Sequence, residues 1–146
     1  MVLSYDTNVR LGWVSLAVGA LSGLVLGLWS FDGPVPTPPG LEDYQNLSRR
    51  LLRLGHIAFF GLGILNLLLA RDLNSTALTF RGKSICSFLM NFGNVALPLS
   101  LVMAAFWHPL KYLMPVPAMA VTLALVLCAW GMFQKGANYS QFPIQH

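Results

Sequence analysis

Apolar residues in this chain come in long runs rather than at the short periods of a soluble helix or strand. Four runs stand out: Leu11 to Trp29, Leu51 to Ala70, Ser84 to Trp107 and Leu113 to Phe133. Each is close to or above the roughly 20 residues a helix needs to cross the hydrocarbon of a bilayer. The pattern predicts an all-α, integral membrane four-helix bundle, a single domain over residues 1–146 with little chain outside the spans. The first run is too long for the apolar part of a signal peptide and lacks a small-x-small cleavage site before Asp32, so it is expected to be a retained helix.

Polar positions interrupt the runs in an ordered way. In the second run, His56, Phe59, Gly63 and Asn66 fall within an arc of about 80° at helical spacing, leaving Leu, Ile and Phe on the other side. In the third, Ser84, Ser87, Asn91, Asn94 and Pro98 share a face of similar width. Pro98 removes the bond to the Asn94 carbonyl, so a kink and a free acceptor are expected there. Amides in hydrocarbon must pair with other helices, water or a ligand. Asn66, Asn91 and Asn94 are therefore read as one polar intramembrane pocket facing the bundle interior. In the first run, Gly19, Gly23 and Gly27 stand four apart, with Gly12 and Ser15 extending a small-residue stripe that suits close helix packing.

The connectors carry the remaining signals. Ser30 to Gly40 holds four prolines and is expected to be extended. From Leu41 a helical pattern resumes, with Glu42 and Asp43 before Arg49, Arg50 and Arg53, an order that suits the helix dipole and predicts a surface turn or two ahead of the second span. These arginines are expected to anchor in lipid phosphates. Met1 to Arg10 reads as a polar lead, and the fourth span as a packing helix.

Composition strengthens the membrane reading. Of 146 residues, 55% are hydrophobic and 10% charged, with a mean hydropathy of +0.63. The net charge of +4 comes from residues at span ends, so it is a lipid-interface signature and predicts no nucleic-acid partner. Four spans put both termini on one side. Five Lys and Arg (Arg10, Arg71, Arg81, Lys83, Lys135) lie there against four opposite (Arg49, Arg50, Arg53, Lys111). The excess, with the proline-rich connector outside, predicts cytoplasmic termini in a bacterial inner (plasma) membrane. Cys86 and Cys128 lie within spans and read as small buried hydrophobes.

For chemistry, the spans contain no Asp or Glu, which argues against a proton-coupled antiporter. Motifs for a metalloprotease, covalent haem attachment or phosphate binding are also missing. His56 is the one histidine within a span, and the predicted topology places it on the same side as His108. A b-type haem near the outer face is therefore a candidate cofactor, with His56 as metal ligand and His108 as a possible second. Arg53, one turn before His56, would meet a propionate, and Gly63 would let a flat ring lie close.

The layout resembles the small four-helix membrane isomerases that include styrene oxide isomerase and hydroxylaminobenzene mutase. The shared features are length, a polar connector before the second helix, Arg53 and His56 at that helix's start, and Gly93-Asn94 in the third. The resemblance implies haem b on the second-helix histidine, its ferric iron acting as a Lewis acid. The family's asparagine soon after that histidine is absent here, since position 62 is Leu and the next Asn is Asn66. Three readings stay open: a haem-binding membrane cytochrome or isomerase-like protein, a non-catalytic subunit or assembly factor of a larger membrane complex, and a small-solute binder or transporter. Expected partners are the bilayer and either further copies of the chain or a membrane complex.

Overall fold

The computed structural model describes residues 6–30 and 33–139, with side chains through Lys135. Four helices account for most of this: α1 Asp6–Gly27, α2 Leu47–Asp72, α3 Phe80–Phe106 and α4 Pro115–Tyr139. No strand occurs among the described residues. All four helices are long and apolar enough to cross a membrane.

Helices α2 and α3 begin earlier than their apolar runs, because polar side chains at their starts close the backbone. Asn46 caps α2 by accepting from Ser48 N at 2.9 Å, and Thr79 caps α3 by accepting from Gly82 N at 3.2 Å. The expected helical turns from Leu41 do not form. There Asp43 accepts from Gln45 N at 2.8 Å, Glu42 from Gly40 N at 2.8 Å, and the Asn46 amide donates to Gly40 O at 3.0 Å. These local side-chain bonds compete successfully with helix formation. Gly40 adopts a φ of 83°, the left-handed conformation that excludes most side chains.

Two of the three arginines expected to anchor in lipid, Arg49 and Arg53, also organise this connector. Arg49 donates through Nη2 to Trp29 O at 2.9 Å, and through Nη1 to Leu41 O at 3.2 Å and Glu42 O at 3.3 Å. It thereby ties the end of α1 to the start of α2. Arg53 lies over Tyr44, its Cζ 3.8 Å from the ring centroid.

Helices α2 and α3 are central: α1 packs against α2 and, over its first turns, α3, while α4 packs on α3. The main core joins Leu62, Leu69 and Leu73 to Cys86, Met90 and Ala124 from α3 and α4. A smaller cluster at the other end holds Leu51, Ala104 and Ala105. Cys86 is buried and donates to Ala124 O at 3.1 Å, and both cysteines are free thiols. Helix α3 runs unbroken through the buried Pro98. The outer face of α1, including Trp13, Leu21 and Leu24, is exposed.

Candidate functional site

The glycine stripe of α1 is a packing seam, as its spacing suggests. A Cβ built on Gly12 would stand 2.8 Å from Leu67 and 3.1 Å from Gly63 O, and one on Gly19 would stand 2.9 Å from Phe60. Ser15 donates to Phe59 O at 3.0 Å. Gly27 has nothing within 4 Å and does not take part. The polar arc of α2 is thus turned towards α1, where small residues let the two backbones approach closely.

His56 sits at the far end of this seam. Its Nδ1 is 2.8 Å from Gly19 O and 3.3 Å from Ser22 Oγ, and Ser22 itself donates to Gly19 O at 2.9 Å. A carbonyl oxygen only accepts, so Nδ1 carries the hydrogen and donates it to Gly19. In the neutral imidazole this leaves the lone pair on Nε2. A backbone carbonyl on the other ring nitrogen is the arrangement that orients metal-binding histidines. Phe60 meets the ring edge-on, with centroids 5.4 Å apart. Gly23 leaves room for the imidazole: a Cβ there would stand 2.5 Å from Cε1.

His56 lines a cleft of about 380 Å³ between α1, α2, α3 and the connector. Its walls include Ser22, Trp29, Leu41, Leu52 and Phe106, and are almost wholly apolar. This volume is in the range of small-molecule pockets. Among the described residues no three His, Cys, Asp or Glu side chains gather to hold a metal ion. A metal bound at His56 would therefore have to bring most of its own ligands, as the iron of haem does.

The other residues expected around a cofactor are placed elsewhere. Gly63 is closed against α1: a Cβ there would stand 3.0 Å from Gly12 O and 3.1 Å from Leu16. It serves helix approach, and no ring can lie on it in this packing. Arg53 donates to Tyr44 O at 3.3 Å and borders a separate groove with Arg50, Leu54 and Ile57. His108 is exposed in a short 3₁₀ turn, its Nε2 3.2 Å from Ser48 Oγ, and it does not line the His56 cleft. The shared side of the membrane inferred from topology does not bring the two histidines to one cavity.

Two of the three amides, Asn66 and Asn91, come together around a residue that lies outside the apolar runs, while Asn94 bonds apart from them. Asn8 in α1 is fully buried and donates to Asn66 Oδ1 at 2.7 Å. Asn66 in turn donates to Asn91 Oδ1 at 2.9 Å. Ser87 donates to Asn8 Oδ1, and Asn94 donates to Leu11 O at 3.3 Å. Asn66 and Asn94 are fully buried and Asn91 is half-buried, whereas Ser84 is exposed. Of the polar lead expected over Met1 to Arg10, residues 1–5 lie outside the described residues, and Asp6 to Arg10 form the first turns of α1, stabilised because the Asn8 amide is satisfied by α2 and α3. Its signal was the spacing of Asn8, Gly12, Ser15 and Gly19, which extends the small-residue stripe by one more step. Compared with protein-family models, with curated proteins and with solved structures, the chain matches none.

Proposed function

We propose that this chain is a small polytopic integral membrane protein whose α1–α3 cleft binds haem b, with His56 as the residue that would hold its iron. The observation that carries this reading is the His56 imidazole itself. Its Nδ1–H is directed to Gly19 O, so Nε2 is the donor available to a metal, in a cleft with almost no other polar group. Gly19 and Ser22 orient the ring, Gly23 makes space for it, and Leu52 and Phe106 give the cleft apolar walls. Haem bound there would supply an iron able to change oxidation state or act as a Lewis acid. His108 is paired to Ser48 outside the cleft, so among the described residues His56 is the one histidine that would hold the group.

The test is the absorption spectrum of protein expressed with ample haem and purified in detergent. A Soret band is expected for the wild type and for His108→Ala and Arg53→Ala, since neither side chain lines the cleft. It should be lost in His56→Ala and weakened in Gly23→Ala, whose added methyl pushes the ring from Gly19. A wild-type protein without Soret absorbance removes the cofactor, returns His56 to helix packing, and leaves the subunit of a larger membrane complex as the reading.

Orientation follows the Lys and Arg count. Reporter fusions after Lys135 and within the Pro34 to Pro39 connector are expected on opposite sides, the tail cytoplasmic. A tail reported outside inverts the protein, and the same side for both excludes four spans.

A further inference from the structure

Further along the seam from His56, a second cavity of about 220 Å³ lies among Val14, Ser15, Val18, Phe59, Asn94 and Leu99. Its walls are apolar apart from Ser15 and Asn94. Asn94 is fully buried, and its Nδ2 donates to Leu11 O at 3.3 Å. Because that carbonyl can only accept, the orientation of the amide is determined: rotating it would set two oxygens against each other. Oδ1 is thereby left facing away from Leu11, and it has no hydrogen-bond partner among the described residues. Buried polar atoms are paired in the great majority of cases, and an exception asks for a cause.

Ser15 sharpens the chemistry of the cavity. Its hydroxyl hydrogen is used on Phe59 O, so its oxygen presents lone pairs. The wall thus offers a partnerless acceptor at Asn94 and a second acceptor at Ser15. A water donating to both would meet only the minimum of two partners and would leave the apolar walls unfilled. An organic molecule with one donor and an apolar body satisfies both the acceptor and the walls. For scale, an engineered apolar cavity of about 150 Å³ in another protein holds benzene, so this volume of about 220 Å³ admits a ring with small substituents. Val14 and Leu99 are 57% and 45% exposed, which opens the cavity sideways between α1 and α3. On the membrane reading above, that side meets acyl chains, and the ligand arrives from the bilayer.

We infer that this cavity is a binding site for a small apolar molecule bearing a single hydrogen-bond donor, a phenol or a ring alcohol, whose O–H donates to Asn94 Oδ1. The site needs neither His56 nor a cofactor. A carbonyl compound or an ether of the same size lacks the donor and binds more weakly.

The experiment is a fluorine NMR titration of the full chain in detergent micelles with para-fluorophenol and, as the matched probe without a donor, para-fluoroanisole. Saturable binding of the phenol is expected, at least tenfold tighter than that of the anisole. Asn94→Leu should weaken phenol binding about tenfold or more. Val14→Trp fills the cavity from its exposed rim without touching an amide, and should abolish binding of both probes. His56→Ala should retain binding, which separates this site from the haem cleft. Equal affinity for the two probes, no saturable binding to the wild type, undiminished binding in Val14→Trp, or loss in His56→Ala would each overturn the proposal.

Discussion

Asn66→Leu is expected to destabilise the protein by about 2 kcal/mol, roughly a 30-fold shift in the folding equilibrium. Asn66 is the middle of a directional chain: it accepts from Asn8 and donates to Asn91, joining α1, α2 and α3. Leucine preserves the bulk but leaves the Asn8 amide hydrogen and the Asn91 oxygen without their partners. In water-soluble proteins each such group costs about 1–3 kcal/mol. Interhelical hydrogen bonds within membranes average nearer 0.6 kcal/mol, because the unfolded helices also find partners. Two bonds plus the desolvated remainder give the estimate between these limits. Unfolding in mixed micelles of increasing denaturing-detergent fraction measures it, with Ile64→Ala on the exposed face of α2 as the control. Asn8→Leu should cost a similar amount, and the double substitution much less than the sum, since both break the same chain. An Asn66→Leu protein as stable as the Ile64→Ala control would show that the amides contribute nothing to the fold.

Gly93→Val is expected to be more damaging, about 3 kcal/mol or the loss of α4 from the bundle. At Gly93 α3 and α4 touch backbone to backbone. A Cβ there would meet Val121 Cγ2 and would stand 3.1 Å from Pro117 O and 3.3 Å from Val121 N. The Val121 side chain can rotate away, but the two main-chain atoms move only if the helices separate. The comparison that isolates this effect is Gly61→Val, a glycine of α2 with nothing within 4 Å of its virtual Cβ. The same detergent titration should show Gly61→Val close to the wild type. Limited proteolysis of the His108–Leu113 turn should be faster in Gly93→Val alone. Equal stability of the two variants would mean that the α3–α4 contact yields more easily than its main-chain distances indicate.

The four helices and the inward faces of two of them could be read directly from the residues. Helix length in hydrocarbon depends only on the local run of apolar side chains, and the sharing of a face by Phe59, Gly63 and Asn66 follows from 100° per residue. The packing use of Gly12 and Gly19 was legible for the same reason, since a missing side chain permits close approach whatever the neighbour is. Other features needed knowledge of the neighbour. Asn8 looked like part of a polar tail because hydropathy stops at Arg10. It is helical and buried because Asn66 and Ser87, respectively 58 and 79 residues away in sequence, meet its amide. The spacing of Arg49 and Arg53 gave no sign that the turns after Gly40 would also present them with carbonyls and the Tyr44 ring.

The sequence by itself determined where the four long apolar helices lie, which faces are small or polar, and that His56 is the one histidine inside an apolar run. Tertiary structure alone decided that Gly63 is spent on Gly12, that His108 lies apart from the His56 cleft, and that Asn94 Oδ1 is left without a partner. The physical reason is that hydrophobic length and helical periodicity are properties of one segment. The direction of a hydrogen bond, by contrast, and the space beside a side chain are set jointly by segments that only folding brings together.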